Sequence, residues 1–180
     1  MRDLASFSNG LDQKTRQCNA IIETPKGRRN KFDYDPETGL FELAKLLPEG
    51  MIFPFDFGFI PSTLADDGDP LDLMVLMDEP AHVGCLLRVR LIGVIEAEQT
   101  EKGKTKANPR LLAAAVNSYS YENVTDIADV RPSLLDQLEQ FFVSYNKLEG
   151  RQFTPTGRGD SGRAVELIQQ GMKTFRKAKK

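Results

Sequence analysis

The sequence is poor in the residues that build zinc sites and disulfide frameworks. Among 180 residues it has no tryptophan, one histidine, His82, and two cysteines, Cys18 and Cys85. A lone histidine and two distant cysteines have neither the number nor the spacing of a zinc site or a disulfide scaffold. We therefore expect two reduced thiols, and we expect His82, in a Pro-Ala-His turn, to have no catalytic role.

Long apolar runs and an excess of one charge are also missing. The longest apolar stretches, such as residues 71–77, are far shorter than the roughly 20 residues that cross a bilayer. Residues 1–17 are polar and lack the apolar segment of a secretory signal, so we expect a cytoplasmic protein without membrane contact. Lys and Arg number 24 against 26 Asp and Glu, a net charge of -2 that excludes a strongly basic nucleic-acid binder.

Patterns typical of β-strands occupy the first two thirds of the chain. Gly93 is expected to form a bulge inside one strand. Residues 53–61 are bounded by prolines, which indicates irregular or edge β structure. Residues 99–109 are expected to be a polar loop. The segments with strand-like patterning, separated by turn residues, are 19–23, 31–34, 40–43, 71–77, 85–97 and 111–116.

The last third changes to a helical period. Apolar residues spaced by three and four predict a helix over residues 132–148, with Pro132 in its first turn and Gly150 just past its end. Asp160 or Ser161 is suited to cap a second helix with a basic end. Strands first and helices last indicate a mainly β, α+β domain over residues 19–180, preceded by an extension, residues 1–18, without clear periodicity.

An acidic segment stands out against the balanced total charge. Residues 66–79 contain six of the 26 acidic residues and no Lys or Arg. Asp67, Asp69 and Asp72 lie within six residues, and clustered carboxylates are suited to a hard divalent cation such as Mg²⁺. The spacing does not match a calcium-binding EF-hand loop. In a loop that starts at Asp67, Leu71 falls where a ligand is required and Asp72 where a glycine is required. A solvated acidic turn explains the cluster equally well on composition alone.

A basic cluster lies upstream of the acidic segment. Lys26, Arg28, Arg29 and Lys31 fall within six residues. Cations that clamp phosphate oxygens beside a metal-binding acidic cluster are what a polyphosphate substrate requires. Such a pairing needs a fold that brings the two clusters together.

Two longer blocks carry a family resemblance. Residues 22–31 read Ile-Glu-Thr-Pro-Lys-Gly-Arg-Arg-Asn-Lys, and residues 54–72 end in Asp-Gly-Asp-Pro-Leu-Asp. Over residues 19–178 the chain resembles the soluble family I inorganic pyrophosphatases. The resemblance implies a five-stranded OB-like β-barrel with two C-terminal helices packed on it. It also implies hydrolysis of pyrophosphate to two phosphates with Mg²⁺, or alternatively Mn²⁺, by a cytoplasmic homo-oligomer, typically a hexamer.

The resemblance also implies roles for individual residues. Asp69 would act as the catalytic base, with Lys31 and Tyr145 also in the catalytic set. The residues implied to bind substrate are Lys31, Lys45, Arg110, Tyr145 and Lys147, and those implied to bind metal are Asp67, Asp72, Glu23 and Asn108.

Several positions depart from the family pattern. Asp33, Lys45 and Arg110 keep only the charge of the usual residue, and Arg158 falls where a tryptophan is frequent. The positions that change character are Phe53 and Phe57 for tyrosines, Gln99 and Asn108 for metal-binding aspartates, and Asn146 for a lysine. Glu98 or Glu101 could supply a missing carboxylate. These changes predict fewer metal ions and slower hydrolysis; the alternatives are an impaired relative that binds phosphate compounds or partners, and a phosphohydrolase with another diphosphate substrate.

Overall fold

The computed structural model describes residues 3–179, which form nine strands and two α-helices. The elements are β1 (Gln17–Thr24), β2 (Asn30–Asp35), β3 (Leu40–Leu46), β4 (Asp56–Ile60), β5 (Leu71–Leu76), β6 (Leu86–Glu101), β7 (Lys104–Ala107), β8 (Arg110–Ala115), α1 (Pro132–Leu148), β9 (Gln152–Asp160) and α2 (Ser161–Ala178). No helix within residues 3–179 combines the length and the apolar character that a membrane span requires.

Five strands close on themselves to form a barrel. Their order is β1-β4-β5-β8-β6, and β6 pairs with β1 to complete the ring. The pairings are antiparallel except that of β5 with β8, which is parallel. Strands β7 and β9 extend the sheet from β6, while β2 and β3 form a separate hairpin. The prediction of a mainly β, OB-like barrel with two C-terminal helices is confirmed.

The barrel strands β4, β5 and β8 are buried on both faces, which explains their nearly continuous apolar sequences. In β5, Leu73 and Val75 pack into a cluster that draws on all five barrel strands and on α2. Met74 and Leu76 point the other way, into a cluster shared with α1. The barrel therefore has one helix packed against each layer of apolar side chains.

Two sequence-based predictions for local structure are wrong. Residues 56–60 form an interior strand, because β1 and β5 pair with its two edges and all five residues are buried. Residues 99–109 contain the end of β6 and all of β7, joined as a hairpin. Strand β9 was not predicted, since its polar sequence lacks an alternating pattern. The bulge at Gly93 is confirmed by the shift in register between Leu91 and Gly93.

The predicted helices lie where the periodicity places them. Helix α1 begins at Pro132, and Asp160 caps α2 by accepting a hydrogen bond from the Arg163 amide at 2.8 Å.

The N-terminal segment packs on the barrel, where the Ala5 carbonyl accepts a hydrogen bond from the Ser62 amide at 2.7 Å. Asn9 Nδ2 also donates to the Pro61 carbonyl at 3.1 Å.

Candidate active site

A cavity of about 520 Å³ collects charged side chains from distant parts of the chain. Its walls come from the ends of several strands, the loop before β5, the C-terminal part of α1 and the N-terminal segment. The carboxylates that line it are Asp3, Glu23, Asp33, Asp67, Asp69 and Asp72, and the cations are Lys31, Lys45, Arg110 and Arg151.

The cavity brings together almost all of the residues implied by the family resemblance. Those that line it are Glu23, Lys31, Lys45, Asp67, Asp69, Asp72, Asn108, Arg110 and Tyr145. The altered positions Asp33, Phe53, Phe57, Gln99 and Asn146 line it as well. Lys147 does not, because it lies on the exposed face of α1. Of the basic cluster only Lys31 reaches the cavity, and Glu98 and Glu101 stay outside it.

Carboxylates crowd one side of the cavity. Burial raises the pKa of Glu23 to about 7, against the attraction of Lys31 and with further repulsion from Asp33 and Asp69. The Glu23 carboxylate still accepts a hydrogen bond from the Tyr34 amide at 2.9 Å. The pKa of Asp69 is raised by burial and then by the charges of Asp67 and Asp33. Mutual repulsion on this side would be relieved by a bound cation.

Lysines and one tyrosine face these carboxylates. Lys31 forms an ion pair with Asp33 and lies 6.0 Å from the Phe57 ring centre. Lys45 forms an ion pair with Glu149 and lies 5.4 Å from the Tyr145 ring centre. Burial, followed by the charge of Glu149, raises the pKa of Tyr145, so its hydroxyl stays protonated and able to donate.

Arg110 also lines the cavity, and Asp67 and Asp69 lie close enough to attract its charge. Leu73 of β5 lies opposite Leu111 of β8, and this register sets Asp72 beside Arg110. Their side chains form an ion pair, and the guanidinium carbon lies 5.4 to 5.9 Å from the centres of three rings, those of Phe57, Phe142 and Phe153. Burial lowers the pKa of Arg110 to about 10, which leaves it charged at neutral pH.

Two uncharged amides also line the cavity. The side chain of Asn108 is buried, and its Nδ2 donates to Oε1 of Gln99 at 2.8 Å. Each amide thus satisfies part of the hydrogen bonding of the other, and neither brings a charge to the cavity.

Comparisons with known proteins show the family of this chain. The family model described as "Inorganic pyrophosphatase" matches residues 20–176. The chain belongs to the inorganic pyrophosphatase family. It is 35% identical to an inorganic pyrophosphatase of Synechocystis over 91% of this chain and 94% of that protein. Against the crystal structure of the inorganic pyrophosphatase of Thermus thermophilus, the TM-score is 0.88 at 31% identity, covering 97% and 99% of the two chains. The prediction of a diphosphatase enzyme of this family is confirmed.

Two charged cavity residues of this family member, Asp3 and Arg151, were not predicted from the sequence. Arg151 lines the cavity, with Nε 3.3 Å from Glu101 Oε2 and Nη1 3.5 Å from Glu149 Oε2. It directly follows Gly150, which lies just past the end of the helix that carries Tyr145. The only available signal was a basic residue at the helix end nearest to a predicted site residue.

The carboxylates of the cavity suit a divalent cation. Asp67, Asp69 and Glu23 offer oxygen ligands and carry mutual repulsion, which fits Mg²⁺. Across residues 3–179, no three His, Cys, Asp or Glu side chains converge as a complete protein site. Mg²⁺ is commonly held by one or two carboxylates, waters and substrate phosphates, so this sparse set still fits. Arg110 and the amides of Gln99 and Asn108 also line the cavity and add no anionic ligand to this set.

Proposed function

We propose that this chain hydrolyses inorganic pyrophosphate to two phosphate ions with Mg²⁺ or Mn²⁺, and that its activity is reduced by the altered cavity residues. The observation that supports this most is a single cavity lined by both four basic side chains and six carboxylates. A cavity with only carboxylates would bind cations, and one with only basic residues would bind anions. The combination suits a polyanion that is bound together with a metal ion.

The basic residues and Tyr145 are suited to hold the pyrophosphate oxygens. Lys31, Lys45 and Arg151 approach from different elements of the fold, so they can contact both phosphoryl groups. The Nε of Arg110 is buried and has no acceptor among residues 3–179, which leaves it able to donate to a phosphate oxygen. Tyr145 supplies a neutral hydroxyl donor.

The carboxylates divide into ligands and a base. Asp67 would hold the divalent ion, and Glu23 would accept hydrogen bonds from its waters. The bound ion supplies charge neutralisation and a water of lowered pKa. Asp69 would accept the proton of the attacking water, since its raised pKa makes it a better base than an aspartate with the ordinary pKa. Its amide donates to Asp67 Oδ1 at 3.1 Å, which links the two residues.

Reduced activity follows from the groups that the cavity lacks. Phe53 and Phe57 present rings without hydroxyls to the cavity. One hydrogen bond to a charged group contributes about 1.5–3 kcal/mol, and about 1.4 kcal/mol corresponds to tenfold in rate. Gln99 and Asn108 provide no carboxylate, so metal binding near these two residues is weakened as well.

The assay is phosphate release from pyrophosphate in the presence of Mg²⁺ or Mn²⁺. Asp69→Asn should lower the rate by about 100-fold or more, because the base is lost while the shape is kept. Asp66→Asn is the matched control, since Asp66 is exposed and lies outside the cavity. A wild type no faster than Asp69→Asn would refute the proposal and favour a binding protein. Release only from nucleoside diphosphates would favour a different phosphohydrolase.

We also propose that the chain forms a homo-oligomer, with the hexamer as the expected state. Three leucines of the β2–β3 hairpin region, Leu40, Leu43 and Leu46, are each about 60% exposed, which is unfavourable for a lone chain in water. Light scattering coupled to size exclusion should give a mass of six chains, and a monomer mass would contradict the proposal. A cytoplasmic location stays a prediction.

A further inference from the structure

The segment before β1 forms part of the cavity wall. Asp3 and Ala5 line the cavity together with side chains of the barrel. Residues 4–6 form one turn of 3₁₀-helix, and Asp3 caps this turn by accepting a hydrogen bond from the Ala5 amide at 2.9 Å. The segment therefore has a defined local structure where it meets the cavity.

Tyr34 of β2 holds the beginning of this segment. Its hydroxyl accepts a hydrogen bond from the Leu4 amide at 2.9 Å and donates one to Asp3 Oδ1 at 3.2 Å. The Tyr34 ring packs against those of Phe41 and Phe59, with ring centres 5.3 and 5.9 Å away. Because these contacts fix the ring, its hydroxyl offers the segment a docking point at a defined place.

Ser62 holds the next part of the segment. Its amide donates to the Ala5 carbonyl at 2.7 Å, and its hydroxyl donates to the Phe7 carbonyl at 2.8 Å. Ser62 has a φ of 54°, in the left-handed region that costs free energy for a residue with a Cβ. The two hydrogen bonds to the segment offset this cost, so the strained backbone of Ser62 and the docked segment support each other.

The docked segment borders an apolar part of the cavity lining. The side chains concerned are Tyr34, Pro36, Phe59, Leu64 and Phe175. Lys179 Nζ lies 4.7 Å from the Phe175 ring centre and also donates to the Ser6 hydroxyl, which places the segment beside this ring. Pyrophosphate presents only oxygens to its surroundings and gains nothing from apolar walls. A diphosphate ester carries an organic group, whose apolar surface is favourably buried against such a lining.

We propose that residues 3–9 limit which diphosphates enter the cavity, because the docked segment occupies the space that the organic group of a diphosphate ester requires. Tyr34 and Ser62 are the positioning residues that keep the segment docked. The inference rests on the proposed function for the identity of the preferred substrate, inorganic pyrophosphate. It goes further by assigning substrate selection to a segment outside the barrel.

The test compares wild type with Tyr34→Phe, Ser62→Ala and the double variant, each of which removes only hydroxyl groups. Together the substitutions remove three hydrogen bonds that dock the segment. Calorimetric titration with ADP and Mg²⁺ should show about tenfold tighter binding to the double variant, because the segment is released in a larger fraction of its molecules. Equal ADP affinity of wild type and the double variant would overturn the inference.

The single variants separate release of the segment from a change in the cavity lining. Ser62 does not line the cavity, so tighter ADP binding to Ser62→Ala acts through the segment. Tyr119→Phe is the matched control, because Tyr119 is 87% exposed and lies outside the cavity, and its ADP affinity should equal that of wild type. Hydrogen exchange at the amides of Leu4 and Ala5 should be faster in the double variant. Unchanged exchange at both amides would also overturn the inference.

The outcomes separate this inference from the proposed function. Wild type that hydrolyses pyrophosphate, with equal ADP affinity in the double variant, refutes the inference alone. Wild type without hydrolysis, with tighter ADP binding to the double variant, refutes the proposed function alone. ADP that binds to neither protein counts as equal affinity and overturns the inference.

Discussion

Glu23 should make the folding stability of this protein depend on pH when no metal is bound. Its side chain lies at the end of β1 and is 8% exposed. Burial raises its pKa from 4.5 to about 7 in the folded state. Because the folded state then binds a proton more tightly than the unfolded chain, stability falls as the pH rises between these two values. Above pH 7 the charged carboxylate is buried and its burial is not compensated.

The size of the effect follows from the shift in pKa. One pKa unit corresponds to about 1.4 kcal/mol, so this residue should cost about 3 kcal/mol between pH 4.5 and pH 7. Glu23→Gln removes the ionisation and keeps the shape. The amide oxygen of the glutamine can still accept the hydrogen bond that Tyr34 donates at 2.9 Å. The variant should therefore lose that part of the pH dependence.

Urea unfolding with EDTA, repeated from pH 4.5 to pH 8, measures this difference. Subtracting the free energy of unfolding of Glu23→Gln from that of wild type at each pH removes the contributions of the other titrating groups. Glu49→Gln is the control, because Glu49 is exposed and pairs with Arg29 outside the cavity. It should follow the wild-type curve. Parallel pH curves for wild type and Glu23→Gln would refute the reasoning, since Glu23 would then titrate alike in both states.

Three further predictions concern packing and substrate binding. Gly58→Ala should lower the free energy of unfolding by about 3 kcal/mol, because its Cβ would lie 1.9 Å from the Ile21 carbonyl oxygen. Gly157→Ala, whose Cβ would meet nothing within 4 Å, is the control, and equal melting temperatures would contradict the argument. Tyr145→Phe should slow pyrophosphate hydrolysis about 10- to 100-fold at unchanged melting temperature. Arg151→Ala should raise KM more than it lowers kcat, and an unchanged KM would show that this cation does not contact substrate.

Features that depend on neighbouring residues could be predicted from the sequence. The period of the apolar residues in 132–148 placed α1 correctly, and the acidic residue before the second apolar run was its cap. Asp67 and Asp69 are two residues apart, so a cavity that contains one is expected to contain the other. The family resemblance added the barrel and most of the cavity residues, because its blocks match positions far apart in the chain.

Pairings between distant strands decided the rest. The burial of β4 depends on the strands that pair with both of its edges. The sequence of β4 alone does not indicate how many strands will pair with it. Likewise, β9 has a polar sequence and exists because it pairs with β6. Lys147 and Arg151 are close in sequence, yet the direction of α1 leaves Lys147 in solvent while the chain past the helix end puts Arg151 in the cavity.

By itself the sequence determined the helices, most of the strands and a compact acidic motif, since these depend on local periodicity and spacing. The tertiary structure alone decided that Asp72 meets Arg110 and that Asn108 meets Gln99. The register of β5 against β8 and the β6–β7 hairpin produce these contacts. Charges interact through space, so the electrostatics of the cavity depend on which strand ends converge there.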